Sequence, residues 1–117
     1  MTKYFNVSEF DSPDVPGSGF NMQPAFLNRL VAAREIAGVP FRINSGYRTP
    51  EHNRKVGGTP GSSHLTGWAV DIAVKDSWER QVVLTALIRA GFSRIGIGKN
   101  FIHADSDPAK NAAVWLY

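Results

Sequence analysis

The chain predicts an α+β domain: a small, mostly antiparallel sheet with helices packed on it. Three observations carry that expectation. Apolar residues recur at helical spacing around residues 24–37 and 76–90. Apolar and polar residues alternate, or form short β-like runs, around 41–45, 67–74, 94–97 and 101–105. With a short helix started by Pro50, the order becomes helix, strand, helix, strand, helix, strand, strand, which suits an α+β fold. At 117 residues the chain has the size of one domain, so residues 1–117 are expected to form a single unit.

Composition narrows the function classes. The chain is 43% hydrophobic and 20% charged, and no apolar run approaches the roughly 20 residues that span a membrane. The opening "MTKYFNVSEFDSPDVPG" has no apolar stretch behind Lys3, so it does not read as a secretory signal; a cytoplasmic location and release by another route both stay open. The net charge is +3, with basic residues scattered and Arg54-Lys55 the only adjacent Lys/Arg pair, which argues against a nucleic-acid partner. There is no cysteine, so disulfides and thiolate metal ligands are excluded, and any metal site must use His, Asp or Glu.

The elements follow in order. Residues 11–24, "DSPDVPGSGFNMQP", read as a surface loop. From Pro24, the residues Phe26, Leu27, Leu30, Val31, Ala33 and Ala37 make one face of a helix that "GVP" ends. "FRINS" alternates as a short strand, and "SGYRTPEHN" turns from it with Pro50 at a helix N1 position. A Gly/Pro loop, residues 56–62, leads to a second strand, "GWAVDIAV". The next helix takes Asp76 or Ser77 as N-cap and Gly91 at C′, with Trp78, Val82, Val83, Ala86, Leu87 and Ala90 on its apolar face. Arg94 to Ile97 and Phe101 to Asp105 form a hairpin around "GKN", and "VWLY" is apolar enough to pack back on the body.

The chemistry concentrates in "GSSHLTGWAVDIAV", residues 61–74. On a strand, Trp68, Val70, Ile72 and Val74 face one way, while Ala69, Asp71 and Ala73 face the other. One carboxylate among alanines leaves space above the sheet for something it binds, and a metal ion fits. His64, across the Leu65-Thr66-Gly67 bend, can fold over to share the ion if Gly67 permits a sharp turn or close approach. In "NFIHADSD", Phe101, His103 and Asp105 share one face of the later strand. Two histidines and one aspartate complete a set that suits zinc, with a fourth position left for water. Against this stands the common case of a semi-buried Asp or His satisfied by protein hydrogen bonds.

"SSHLTGWAVDI" fits the pattern Ser-x-His-x-x-Gly-x-Ala-x-Asp through Ser62, His64, Gly67, Ala69 and Asp71, with "SGYRTPEHN" before it and "FIHAD" after. Over residues 40–107 the chain resembles the zinc D-Ala-D-Ala carboxypeptidases and related peptidoglycan peptidases. These are relatives of the D-Ala-D-Ala dipeptidases, the phage L-alanyl-D-glutamate endolysins and the hedgehog signalling domain. "FNVSEFDSP" and the helix after it are similar to a short phage- and bacteria-borne subgroup.

The resemblance implies one zinc per chain on His64, Asp71 and His103. It makes Arg48 the arginine that polarises the scissile carbonyl, a job for a fixed cationic donor, and gives Ser62 a hydrogen bond to substrate or to a ligand's surroundings. Ser62 as turn chemistry and Arg48 as a structural ion pair are the competing readings. His52 lies outside the motif, as a helix-surface histidine. The family's general base stands three residues before the last histidine; here that position is Asn100, which cannot take a proton.

Asp105, two residues beyond His103 and on its face, is the nearest replacement, with Asp107 and Glu51 weaker. Its competing role is to orient His103 or Arg48. The expected function is a zinc metallopeptidase cutting a peptidoglycan stem-peptide bond that involves a D-amino acid, acting as a monomer on peptidoglycan peptide, with no nucleic acid and no membrane. The alternative is a non-catalytic zinc-containing module of the same fold that binds cell wall or protein; a metal-free structural domain is the third.

Overall fold

The first long helix, α1 (Pro24–Ala37), begins with proline at its first position and stops at Gly38, whose φ of 68° ends the helix. Its apolar stripe buries Phe26, Leu30 and Ala33. Residues 3–117 are described in this computed structural model; Met1 and Thr2, which begin the predicted domain and the stretch read for a secretory signal, lie outside the described residues. A short helix, α2 (Pro50–Lys55), is capped by the Thr49 hydroxyl, which accepts from the His52 N–H at 3.1 Å.

The second long helix, α3 (Ser77–Arg89), takes Asp76 as N-cap, its carboxylate accepting from the Glu79 N–H at 2.8 Å. Its buried face holds Val83, Ala86 and Leu87 as expected, but the first turn departs from the sequence expectation. Trp78 is 60% exposed, and Glu79 is buried instead. The Glu79 carboxylate accepts from Arg42 Nη2 at 2.7 Å and from the Lys75 N–H at 3.2 Å. A buried carboxylate with such partners is tolerated, and spacing alone does not reveal them.

Five strands form one sheet in the order β1-β2-β4-β3-β5: β1 (Arg42–Ser45), β2 (Ala69–Ala73), β3 (Arg94–Ile97), β4 (Phe101–Asp105) and β5 (Ala113–Leu116). Strands β1 through β4 pair antiparallel, whereas β5 joins β3 in parallel. The fold is α+β with a mixed sheet, as the sequence predicts in class, with β5 as the addition. Val70, Ile72, Ile95, Ile102 and Ala104 join the buried faces of α1 and α3 in one core. Each fully buried Phe, Leu or Ile there contributes roughly 1.5 to 3 kcal/mol. The opposite sheet face carries Asp71 and His103, paired directly across β2 and β4.

Residues 11–24, expected as surface loop, contain a 3-10 turn at Ser18–Asn21 and bury Ser12 and Ser18. The N-terminal segment braces the chain after β1. The Tyr47 N–H donates to the Phe10 carbonyl at 2.9 Å, and the Thr49 N–H to Ser12 Oγ at 3.2 Å. It also closes on Gly67, whose carbonyl accepts from the Gln23 N–H at 3.0 Å. Gly67 has φ 79°, and a Cβ there would lie 2.3 Å from the Asn21 carbonyl oxygen. Both the bend and the close approach expected at this glycine are therefore present. Gly67→Ala is expected to destabilise the fold by at least about 1 to 3 kcal/mol from the backbone conformation alone. Urea unfolding measures it, and an unchanged midpoint would show that neither feature constrains the chain.

Candidate metal centre and its cleft

His64 lies in a 3-10 turn (Ser63–Thr66) that starts at Ser62, whose Oγ accepts from the His64 N–H at 3.2 Å. The His64 ring is 2% exposed, with Nδ1 2.7 Å from the Gly46 carbonyl oxygen. A carbonyl only accepts, so Nδ1 carries a proton and Nε2 is the nitrogen that could serve a metal. Nε2 lies 3.3 Å from Asp71 Oδ1. The loop after β1, braced from the N-terminal side, thus fixes which nitrogen of His64 faces the site.

His103 is held in a complementary way. Its Nδ1 is 3.0 Å from Asp71 Oδ1, and its Nε2 is 3.0 Å from Asp105 Oδ2. A proton on Nε2, donated to Asp105, leaves Nδ1 as the nitrogen that could serve a metal. One ligand atom from each of His64, Asp71 and His103 lies within 4.8 Å of the others. Three ligands at zinc's usual 2.0 to 2.1 Å in tetrahedral geometry would stand about 3.3 Å apart. The nitrogen-to-Oδ1 distances of 3.3 and 3.0 Å are close to that spacing. The residues present therefore fit a zinc ion.

Without an ion, these atoms compensate one another electrostatically. Burial pushes the Asp71 carboxyl up, but hydrogen bonds with His103 and His64 outweigh it and hold the group well below the usual carboxylate range. Burial pulls the His103 pKa down, and hydrogen bonds to Asp105 and Asp71 outweigh that, so the net direction is up from 6.5. The metal-free protein consequently holds a proton on His103 to higher pH than an unfolded chain does. That stabilisation is complete below the unfolded value and is lost as pH rises through the raised folded value.

Arg48 reaches the same carboxylate. Its Nη2 is 3.3 Å from Asp71 Oδ2, Nη1 donates to Asn53 Oδ1 at 3.2 Å, and Nε donates to Ser45 Oγ at 3.0 Å. Ser45 faces Asp71 across the sheet because β1 changes register between Ile43 and Ser45. Three of the five guanidinium N–H groups are thus used, leaving two.

Asp105 stands beside His103, as its facing on β4 predicts. It is 1% exposed, and Oδ2 faces His103 while Oδ1 accepts from Arg94 Nε at 3.1 Å and from the Asp107 N–H at 2.9 Å. Burial raises its pKa, but the His103 hydrogen bond first, then the Asp107 N–H, bring it down to about 2. Asn100 is exposed at the hairpin turn, where its carbonyl accepts from the Val74 N–H at 3.0 Å. His52 is on α2, outside the cluster, as expected.

A cleft of about 510 Å³ opens over the cluster, and Arg48, Ser62, Asp71 and Asp105 are in its lining. Gly57, Gly58 and Thr59 of the Gly/Pro loop line it, and so do the aromatic residues Phe101, Trp115 and Tyr117. Ser45, Asn53, Arg94, Trp115 and the Gly46 carbonyl are participants that sequence reasoning missed. For Arg94 a signal was available: it sits two residues before Gly96 on a strand antiparallel to the one bearing His103.

An α+β sheet that presents two histidines and an aspartate beside a fixed arginine, in an open cleft, defines a candidate metal-dependent hydrolase. A family model described as Peptidase M15 matches residues 3–105. The chain belongs to that family, the zinc D-Ala-D-Ala carboxypeptidases and dipeptidases. No curated protein matches it. The peptidase class agrees with the sequence expectation, as does the metal-compatible grouping of His64, Asp71 and His103.

Two outcomes test the site. Elemental analysis of protein purified without a metal-binding tag should find about one zinc per chain, lost in His64→Ala; full retention in that variant would contradict the ligand set. Zinc must displace the His103 proton, so binding at a pH below the raised His103 pKa should release protons, seen as a calorimetric enthalpy that varies with buffer ionisation. A buffer-independent enthalpy would contradict a protonated metal-free His103.

Proposed function

We propose that residues 1–117 act as one zinc peptidase domain that hydrolyses a peptidoglycan stem-peptide bond involving a D-amino acid. The observation that carries this reading is the convergence of the His64, Asp71 and His103 ligand atoms in a cleft that also holds Arg48. His64 through Nε2, Asp71 through Oδ1 and His103 through Nδ1 would hold the zinc. When bound, zinc at such a site supplies a Lewis acid and a nucleophile at neutral pH.

The chain's own groups do the positioning. Arg48, fixed by Ser45, Asn53 and Asp71, has two N–H groups left to donate to the scissile carbonyl and to the charge that develops on its oxygen. Its tie to Asp71 places that donor beside the metal ligands before substrate arrives. Asp105 is proposed to hold the His103 proton on Nε2, which keeps Nδ1 available as a ligand. Ser62 caps the turn that carries His64, and its hydroxyl proton stays available to a substrate acceptor at the cleft wall.

One observation favours the second reading, a zinc-containing module that binds cell-wall peptide without cutting it. The two carboxylates among the described cleft residues, Asp71 and Asp105, are both engaged by histidine, and position 100 supplies an amide. Incubating zinc-loaded protein with purified peptidoglycan, followed by mass analysis of released peptides, decides between the readings. Release of peptides at a bond to a D-amino acid supports hydrolysis; intact material that retains the protein supports the module.

Two variants refine the roles. Arg48→Lys should keep its zinc and lose at least about tenfold in turnover, since lysine lacks the planar fork of donors; equal turnover would leave Arg48 as a structural ion pair. Asp105→Asn should weaken zinc affinity by about 10- to 100-fold, as loss of a histidine-orienting carboxylate does. Unchanged affinity with turnover lowered about a hundredfold would instead support Asp105 as the proton acceptor.

A further inference from the structure

The family match ends at residue 105, yet one wall of the cleft continues into β5. Trp115 and Tyr117 line the cleft together with Phe101. Their placement depends on two glycines in "RIGIGKNF". A Cβ on Gly96 would lie 2.5 Å from Trp115 Nε1 and 2.6 Å from Tyr117 Cε2, and one on Gly98 would lie 2.2 Å from Phe101 Cε1. Glycine inside a strand costs roughly 0.5 to 1 kcal/mol relative to alanine. The space each frees is filled by an aromatic ring of the cleft wall.

Gly96 faces His103 across β3 and β4, and Trp115 across β3 and β5. With no side chain between them, the indole reaches across the strand to lie 5.3 Å from the His103 ring. The Arg94 guanidinium stands 5.2 Å from the same indole. Tyr117 packs on Phe101 at 4.8 Å and on Trp115 at 6.3 Å, while remaining 66% exposed. Val114 and Leu116, on the other face of β5, are 67% and 79% exposed, so β5 does not owe its place to burying its own aliphatic residues.

We propose that Phe101, Trp115 and Tyr117 form an aromatic shelf that binds the aliphatic face of the peptide substrate next to the metal cluster. The proposal rests on the peptide-hydrolase reading and adds which part of the substrate meets which wall. The loop through Gly57, Gly58 and Thr59 lines the same cleft. The rings take small apolar side chains, such as the methyl of a D-alanine, by dispersion and burial. Trp115 is the central element, because it lies between the metal-proximal His103 and the outer Tyr117.

The test uses zinc-loaded full chain and a blocked tripeptide ending in D-Ala-D-Ala. Binding is measured by titration calorimetry, and the surroundings of Trp115 by intrinsic fluorescence, since Trp78 is on an exposed helix face and Trp68 lines another cavity. The peptide should change the emission of wild type, and Trp115→Phe should abolish that change. Trp115→Ala should raise the dissociation constant, and KM where the peptide is cut, by about tenfold or more, with zinc content retained and kcat within about threefold. Gly96→Ala, which displaces the indole without removing it, should act in the same direction, and Leu116→Ala on the opposite face should change nothing. Binding with these effects but without cleavage upholds the shelf and sinks the hydrolase reading. Absence of peptide binding to wild type, an unchanged dissociation constant in Trp115→Ala, or a fall in kcat alone overturns the shelf.

Discussion

The Asp71 carboxylate is the group on which the remaining arrangement depends. It is on the polar face of β2 with only 14% of its side chain exposed, where an unpaired charge would be costly. Three partners compensate it: His64 and His103 at Oδ1 and Arg48 at Oδ2. Each comes from a different element, so satisfying one carboxylate fixes the 3-10 turn, β4 and the loop after β1 relative to β2. Ala69 and Ala73 on the same strand keep the approach to it narrow in side-chain bulk.

Each partner is itself held from behind. The Gly46 carbonyl sets the proton of His64, Asp105 sets that of His103, and Ser45 with Asn53 sets the guanidinium plane of Arg48. Arg94 then holds Asp105 and also contacts Trp115. The N-terminal segment belongs to the same scheme, because Phe10 and Ser12 brace the stretch that carries Gly46 and Arg48. A cleft with fixed donors needs little rearrangement when charge develops on a substrate, the condition under which such donors are most effective.

Local pattern made the helices, β1 to β4 and the metal cluster legible, because each rests on a short-range signal. Period-two alternation placed Asp71 and His103 on polar faces, and the Gly67 bend brought His64 back over them. Features set by long-range pairing were not legible. Strand β5 pairs in parallel with β3 across intervening chain, and "VWLY" alone does not state its partner. Helix α3 showed the same limit: apolar spacing favoured Trp78, but Arg42 from β1 neutralises Glu79 and allows it inside. Facing on β4 put Asp105 beside His103 correctly, whereas its engagement by Arg94 and the Asp107 N–H depended on neighbours that spacing does not show.

Protein hydrogen bonds leave one nitrogen of each histidine turned to the metal-compatible cluster: Nε2 of His64 and Nδ1 of His103. Long-range proton–nitrogen correlation NMR of uniformly nitrogen-15-labelled, zinc-loaded protein reports the state of every imidazole nitrogen directly. The expected result is a protonated Nδ1 with a metal-shifted Nε2 on His64, and the reverse on His103. Ligation of both rings through the same type of nitrogen, or two rings unaffected by zinc, would contradict it.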